Sequence, residues 1–151
     1  MTTYDTNKPI ILLVAGPSGI GKSWVCKQLI DKITYVGYDE VKRSIFDDKI
    51  LHAATKDGIV LIDMPIKVST FIKRNEHLYN IMPAFIEEDE NIHRDRLESR
   101  GGKWKDSIIS RRDALKRRAK KYAHFVGTSA QVLHWLEERI EIYEREAAKE
   151  T

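Results

Sequence analysis

Apolar residues of the chain are concentrated in five short runs, at 10–15, 33–37, 59–63, 80–86 and 123–126. Runs of this length, rich in Ile, Val and Leu, are typical of strands buried on both faces of a parallel sheet. The stretches between them predict helices over 22–31, 66–74, 89–100, 107–122 and about 129–148. Strands that alternate with helices predict an α/β fold, here a three-layer α/β/α sandwich with a five-stranded parallel sheet.

Local signals refine several boundaries of these elements. The glycine pair at 101–102 is typical of a helix C-terminus, and Thr128 with Gln131 predicts a capping box before the last helix. Residues 38–44 predict a short helix, whereas 48–57 are polar and weakly patterned.

Composition indicates one globular domain over 1–151, since 42% of the residues are hydrophobic and 32% are charged. No apolar run approaches a membrane span and residues 1–8 lack the apolar core of a secretion signal, so no membrane partner is expected. The single cysteine, Cys26, excludes an internal disulfide, fits a reducing cytoplasmic compartment, and is expected to pack in the first helix. The five histidines lack metal-ligand spacing, so no zinc site is expected. The composition leaves the oligomeric state open.

The turn after the first strand reads Gly16-Pro17-Ser18-Gly19-Ile20-Gly21-Lys22-Ser23, which matches G-x-x-x-x-G-K-[ST]. A predicted strand precedes it and a predicted helix follows, which is the context this phosphate-binding motif requires. Glycines allow successive backbone N–H groups to turn inward around an anion. We expect a nucleoside triphosphate to bind to Gly16, Ser18, Gly19 and Gly21. Lys22 is expected to reach the β- and γ-phosphates, and the Ser23 hydroxyl to bind Mg²⁺.

The third predicted strand, 59–63, ends in a carboxylate, Asp63. An acid at the carboxyl end of a central strand is the Walker B pattern, in which the carboxylate lies beside the magnesium ion or its water. Asp63 is therefore a candidate metal ligand. The alternative is a helix cap, because Pro65 follows at a position typical of a first helical turn.

Charge is distributed unevenly along the chain. Residues 94–121 contain 12 Lys or Arg and 4 Asp or Glu, whereas the remainder contains 14 basic and 19 acidic residues. A basic block in an otherwise acidic chain indicates an anionic partner, either nucleotide phosphate or nucleic acid. The alternative for the outer lysines is a solvated helix face.

The phosphate loop, the strand residues 60–63 and 85–88, and the stretches 96–101 and 108–112 together resemble the nucleoside-monophosphate kinase group of P-loop kinases, guanylate kinases most of all. The resemblance spans nearly the whole chain. It implies a P-loop kinase fold, ATP and Mg²⁺ as cofactors, and a small arginine-rich lid at about 94–112. Guanylate kinases carry a large insert after the second strand that grips GMP. Residues 40–57 are too few for it, so the large monophosphate-binding insert is absent.

The same resemblance assigns roles to arginines on either side of the 101–102 glycine pair. Arg100 and Arg96 are the candidate catalytic residues, because guanidinium groups suit the charge that spreads over a phosphoryl group in transfer. One of Arg111 and Arg112 is expected to join them, and Arg112 is the candidate nucleotide ligand. Thr128 is a further nucleotide ligand, because Gly127-Thr128-Ser129 resembles the loop that borders adenine in these kinases.

A second resemblance concerns the acceptor side. The pattern Asp39-x-x-Lys42-x-Ser44 is similar to a motif of 5′-polynucleotide kinases, in which the aspartate is the general base. It implies that Asp39 accepts the proton of an acceptor hydroxyl and that Lys42 and Arg43 bind the acceptor. A hydroxyl gains from such a base, whereas a monophosphate is already ionised. The alternative is that Asp39 caps the short helix.

Three functions are compatible with these residues. The first is an ATP- and Mg²⁺-dependent kinase that phosphorylates a hydroxyl of a nucleotide or nucleic acid, such as a polynucleotide 5′ end or a hydroxymethylated base in DNA. The second is a small (deoxy)nucleoside monophosphate kinase. The third is a non-catalytic nucleotide-binding scaffold. The intact phosphate loop, acidic strand end and lid arginines favour an enzyme. The acceptor, whether DNA, RNA, mononucleotide or small metabolite, stays open.

Overall fold

The structure, a computed structural model, describes residues 7–38 and 43–149. Its strands are β1 (Ile10–Ala15), β2 (Tyr35–Gly37), β3 (Ile59–Met64), β4 (Asn80–Ile86) and β5 (Phe125–Gly127). Its helices are α1 (Lys22–Lys27), α2 (Arg43–Asp57), α3 (Val68–Asn75), α4 (Glu90–Ser99), α5 (Asp106–Tyr122) and α6 (Ser129–Lys149). None of the helices in the described part of the chain is long and apolar enough to cross a membrane.

The five strands form one parallel sheet in the order β2-β3-β1-β4-β5. All six residues of β1 are buried, as are all six of β3, which explains why β1 is wholly apolar and β3 is apolar at every position except Asp63. The prediction of a five-stranded parallel sheet is confirmed. β1 has β3 on one side and β4 on the other, so the chain leaves β1 at the point where the strand order reverses, which is where open α/β sheets bind ligands.

Side chains of β1 point alternately to two separate cores. Ile11 and Leu13 belong to a cluster that includes residues of α2, α3 and α5, whereas Leu12 and Val14 belong to a cluster that includes residues of α1 and α6. The sheet is therefore the middle layer of an α/β/α sandwich, as predicted. Cys26 is buried with the second cluster, which confirms its packing role.

The largest departure from the predicted elements is α2, which includes the weakly patterned stretch 48–57. Its buried residues have helical spacing, namely Phe46, Ile50, Ala53 and Ala54. Exposed Ile45 and Leu51 lie among them in sequence and obscure that spacing. Two of the four buried residues are small alanines, and apolar residues also lie on the exposed side. The two sides of α2 therefore differ little in hydrophobicity.

The first helix is shorter than predicted. Its α-helical part ends at Lys27, and the chain continues in tighter turns, in which Leu29 N–H donates to Cys26 O and Lys32 N–H donates to Leu29 O. The later boundaries agree more closely with the prediction. Gly101, with φ of 82°, follows the end of α4, and Thr128 and Gln131 exchange the two hydrogen bonds of the predicted capping box.

Candidate active site

The phosphate loop connects the carboxyl end of β1 to α1. Gly19 and Gly21 have φ angles of 81° and 117°, which L-residues rarely adopt, so the motif glycines are required by the backbone itself. Gly16 N–H donates to Met64 O at 3.4 Å and ties the loop to the end of β3. Lys22 is only 6% exposed, and its Nζ donates to Pro17 O at 3.0 Å, across the base of the loop. Half-buried Ser23 follows in the first turn of α1.

Asp63 lies in β3 beside Val14 of β1 and Gly37 of β2, and it is 3% exposed. Its Oδ1 accepts hydrogen bonds from the Tyr35 hydroxyl at 2.9 Å and from Tyr38 N–H at 3.1 Å. The helix-capping alternative is wrong, because α3 begins only at Val68 and its N-cap is Lys67. Asp63 instead holds the end of β2 to the end of β3 at the carboxyl edge of the sheet.

Magnesium is the metal that the fold implies, and the donor set at this edge fits it. Mg²⁺ prefers oxygen ligands and is usually bound by one or two protein oxygens together with substrate phosphates and water. The Ser23 hydroxyl and the Asp63 carboxylate are the two predicted ligands, and both are oxygen donors of this kind. The described residues contain no cluster of three or more His, Cys, Asp or Glu side chains that could form an all-protein metal cage.

Helix α4 packs directly on the phosphate loop. A Cβ atom on Gly19 would lie 2.9 Å from Leu97 Cδ1 and 3.1 Å from Leu97 Cα, so this approach of helix to loop requires glycine. Arg96 Nη1 donates to Ile20 O at 2.9 Å and lies 3.3 Å from Glu88 Oε1. Arg96 therefore contacts the loop through the Ile20 carbonyl and is held beside it by an ion pair with Glu88.

Glu88 connects this cluster to α6. Its side chain is 6% exposed, and its Oε1 accepts from Ser129 N–H at 2.9 Å and from the Ser129 hydroxyl at 3.1 Å, besides its contact with Arg96. A carboxylate is stabilised at a helix N-terminus by the unpaired amides and the helix dipole. The end of β4, the start of α6 and α4 are thus joined through one carboxylate.

His93, on α4, is completely buried. One ring nitrogen, Nε2, lies 2.8 Å from Ser18 O in the phosphate loop, and the other, Nδ1, lies 2.8 Å from Arg112 Nη1 on α5. Arg112 Nη2 also donates to Glu88 O at 3.0 Å, and the ring of Trp104 meets the His93 ring edge-on at 5.0 Å. Burial lowers the pKa of His93; the Ser18 bond opposes this, and the nearby Arg112, Lys22 and Arg96 charges lower the pKa further.

The structure brings some of the predicted site residues together and leaves others apart. Arg96 and Arg112 lie against the phosphate loop and its supports, whereas Arg100 is exposed at the C-terminus of α4. Thr128 caps α6 next to Ser129. Arg43 is the first residue of α2. The predicted base Asp39 and acceptor ligand Lys42 lie outside the described residues.

A cleft of about 640 Å³ opens between α2 and α3 beside the end of β3. Tyr38, Phe46, Met64 and Phe71 supply its apolar and aromatic lining. Its polar lining comes from Asp47, Lys67, Thr70 and Arg74. Arg74 pairs with Asp47 at 2.8 Å, and Lys67 has φ of 59°, an unfavourable backbone conformation for a lysine. The size is that of a small-molecule site, and Met64 connects it to Gly16 of the phosphate loop.

Sequence reasoning missed the roles of His93, Glu88 and Ser129. A usable signal existed for His93, because it precedes Arg96 by three residues and Leu97 by four, which places all three on one face of a helix. Glu88 follows the fourth strand as Asp63 ends the third, so both acids lie at the same edge of the sheet.

No family model and no curated protein matches the chain. Solved structures do resemble it. A gluconokinase from Sinorhizobium meliloti 1021 has a TM-score of 0.63 at 14% identity, over 95% of this chain and 98% of that chain. The chain has the P-loop kinase fold. The protein TT1252 from Thermus thermophilus also has a TM-score of 0.63, at 14% identity over 90% of this chain and 98% of that chain. A shikimate kinase from Acinetobacter baumannii, in complex with shikimate, has a TM-score of 0.57 at 14% identity, over 90% and 94%.

Proposed function

We propose that the protein is an ATP- and Mg²⁺-dependent kinase that transfers the γ-phosphoryl group to a hydroxyl of a nucleotide or nucleic-acid acceptor. The observation that carries the proposal is the phosphate loop. Its two left-handed glycines and buried lysine lie at the strand-order reversal, on the edge of the sheet where Asp63 is the last residue but one of the neighbouring strand. Gluconokinase and shikimate kinase, which have this fold, are named for phosphorylating small molecules.

Each residue of the site has a defined task in this proposal. The loop amides and Lys22 hold the phosphates, while Ser23 and Asp63 orient the magnesium ion, which supplies positive charge to the β- and γ-phosphates. Arg100 is exposed at the end of α4 and lacks the loop contacts that hold Arg96, so in this proposal Arg100 closes over the transferring group. Arg96 supports the loop from behind. Asp39 accepts the proton of the acceptor hydroxyl.

The cleft between α2 and α3 supports a nucleotide-sized acceptor. Aromatic side chains such as Tyr38 and Phe71 can pack against a base, while Lys67 and Arg74 can pair with a phosphate. This cleft is also the specific observation that favours the second candidate, a small (deoxy)nucleoside monophosphate kinase, since it is large enough for one free nucleotide.

The exposed basic residues on the outer face of α5 favour a nucleic acid as the acceptor. Seven exposed basic side chains there and in the preceding loop form no ion pair within the described part of the chain: Lys103, Lys105, Arg111, Lys116, Arg117, Lys120 and Lys121. Arg118 of α5 donates to Ser69 Oγ of α3 at 3.4 Å, so α5 adjoins a helix that lines the cleft. A strand whose terminal nucleotide occupies the cleft can therefore extend along a basic surface.

The decisive experiment measures ATP turnover and product formation with matched acceptors. Single-stranded DNA, duplex DNA and RNA, each with either a 5′-hydroxyl or a 5′-phosphate, are compared with DNA containing a hydroxymethylated base, mononucleotides, gluconate and shikimate. We expect transfer to a hydroxyl-bearing oligonucleotide and none to its 5′-phosphorylated partner. Lys22→Ala is the control for contaminating kinases.

Transfer only to free monophosphates would establish the second candidate in place of the first. Transfer only to gluconate, shikimate or a similar metabolite would overturn the nucleic-acid and nucleotide acceptors while leaving a kinase. Nucleotide binding with no transfer to any acceptor would favour the scaffold.

A further inference from the structure

His93 joins the phosphate loop, α4 and α5. It lies 75 residues from Ser18 in sequence, yet its Nε2 is 2.8 Å from the Ser18 carbonyl. Its Nδ1 is 2.8 Å from Arg112 Nη1. Because the ring is completely buried, both bonds replace contacts with water and their loss leaves polar groups unsatisfied.

The partners determine the proton positions on the ring. An arginine guanidinium has only donors, so Nδ1 must accept the hydrogen bond from Arg112. In the neutral imidazole the proton is then on Nε2, which donates to Ser18 O. The neutral ring therefore satisfies both partners, with one acceptor and one donor, and a protonated ring cannot satisfy Arg112.

The hydrogen bond from His93 to Ser18 O determines the direction in which the Gly19 N–H of the phosphate loop points. In a planar trans peptide, the carbonyl and the following N–H point in opposite directions, and the described residues contain no cis peptide. Since Ser18 C=O points at His93 on α4, Gly19 N–H points away from α4. The same argument applies to Arg96, which holds Ile20 C=O at 2.9 Å and so directs Gly21 N–H away from α4.

Gly19 and Gly21 gain from such support because a glycine backbone has no side chain to limit its own conformation. Both have positive φ, and glycine samples a wider range of conformations than any other residue. Within the described residues, neither amide donates to a backbone carbonyl. An anion nest is effective only if its N–H groups converge before the ligand arrives.

We propose that His93 is a positioning residue for nucleotide phosphate: it fixes the Ser18–Gly19 peptide with its N–H toward the phosphates and ties that peptide to Arg112 of the proposed lid. The proposal rests on the proposed nucleotide binding at this loop but not on the identity of the acceptor. It is tested by nucleotide affinity, so its failure and the failure of the kinase proposal are distinguishable.

The experiment titrates Mg·ADP and a non-hydrolysable Mg·ATP analogue into the wild type, His93→Gln, His93→Asn and His93→Ala by calorimetry. Gln places an amide donor near the Nε2 position and can bond to Ser18 O. Asn reaches only the Nδ1 position and can bond to Arg112 alone. We expect roughly tenfold weaker binding in Ala and Asn, the loss of one buried hydrogen bond, and substantial rescue in Gln. His134→Gln makes the same change on the exposed face of α6 and is the surface control.

The pH dependence gives a second readout. The pKa of His93 lies below its usual value near 6.5, so the ring is neutral at pH 7 and becomes protonated only as the pH falls below that value. Protonation sets an Nδ1–H against Arg112 and breaks the hydrogen bond that holds the ring, so wild-type affinity should fall in acid more than that of His93→Gln. The ratio of the two affinities cancels the ionisation of the nucleotide itself.

Three outcomes contradict the proposal. They are nucleotide affinity within twofold of wild type in a folded His93→Ala, stronger rescue by Asn than by Gln, and an affinity ratio that does not change with pH. A merely structural role would lower the stability of all three variants and leave the affinity of the folded protein unaltered. A wild type that binds no nucleotide would overturn both this proposal and the proposed function.

Discussion

At the scale of single residues, Lys22 is the side chain on which the proposed phosphate binding can be tested most directly. It is 6% exposed, and a buried ammonium is costly unless it is well paired. One of its Nζ contacts is with the carbonyl of Pro17, inside the loop. We predict that Lys22→Ala abolishes phosphoryl transfer and leaves the thermal unfolding transition within a few degrees of wild type. Turnover near the wild-type rate would exclude the phosphate loop from the mechanism.

A substitution at Asp39, the proposed general base, tests whether the acceptor group is a hydroxyl or a phosphate. Asp39→Asn keeps the size and capping ability of the side chain but cannot accept the proton. General-base catalysis typically contributes about 10²–10⁴-fold, so kcat should fall by that order while ATP affinity is unchanged or slightly higher. The wild-type kcat should also rise with pH along an acid limb that the variant lacks. A change in kcat below about threefold would leave Asp39 as a helix cap.

The sequence could identify some of these residues and not others for a physical reason. Gly19, Gly21 and Lys22 belong to a contiguous motif, in which local backbone geometry and chemistry depend on neighbours in sequence. His93 and Glu88 act through tertiary contacts, with Ser18 and Ser129 respectively, across 75 and 41 residues. A lone histidine on a charged helix carries no local sign of burial. Only the helical spacing of His93, Arg96 and Leu97 indicated a shared face.

At the scale of elements, the contact between α4 and the phosphate loop can be tested with two glycines. Gly19 and Gly101 have nearly the same φ, 81° and 82°, so alanine at either position costs about 1–2 kcal/mol in backbone strain. A Cβ on Gly19 meets Leu97 within 3.1 Å, whereas a Cβ on Gly101 has no atom within 4 Å. We predict that Gly19→Ala lowers the free energy of unfolding by a further 1–3 kcal/mol or so, from overpacking.

Denaturant unfolding of the two variants measures that difference, because the strain common to both cancels. Equal destabilisation would show that α4 shifts freely away from the loop. It would then also weaken the inference that α4 side chains hold the loop carbonyls in place.

Element types were predicted more successfully than element lengths. The buried strand β1 is wholly apolar and β3 is apolar except at Asp63, so both are easily predicted as strands. In contrast, β2 and β5 are shorter than predicted, at three residues each. Helix α2 was the main miss, since Ala53 and Ala54 bury a helix face without contributing much hydrophobicity. Its packing depends on the close approach of α2 to the sheet, a tertiary property that local pattern does not record.

At the scale of the whole molecule, the fold class followed from the alternation of strands and helices, but the strand order β2-β3-β1-β4-β5 did not. Strand order depends on which crossover each helix makes, and the apolar runs are too alike to encode it locally. The order matters for function, because it brings β3, which carries Asp63, beside β1, which leads into the phosphate loop. The uneven charge along the sequence was predicted to indicate an anionic partner, and the structure gathers part of it on α5.

The basic face of α5 can be tested by measuring how the affinity for a single-stranded oligonucleotide depends on salt concentration. If a single strand lies along it, the affinity should fall with salt by roughly 0.7 in log–log slope for each phosphate contact. Replacing Lys116, Lys120 and Lys121 with Gln should therefore reduce the slope by as much as roughly 2 and weaken binding similarly for all sequences.

A triple variant at Lys27, Lys49 and Lys56 is the matched control, since these lysines are also exposed but lie on α1 and α2. It changes the net charge of the molecule equally, so any effect that the two triple variants share comes from overall charge and not from a binding face. An equal loss of affinity in both variants would therefore exclude a nucleic-acid surface on α5. It would also remove the main reason for preferring the end of a strand to a free nucleotide as the acceptor. A loss of affinity confined to the α5 variant would support a strand that binds along α5, beside the cleft.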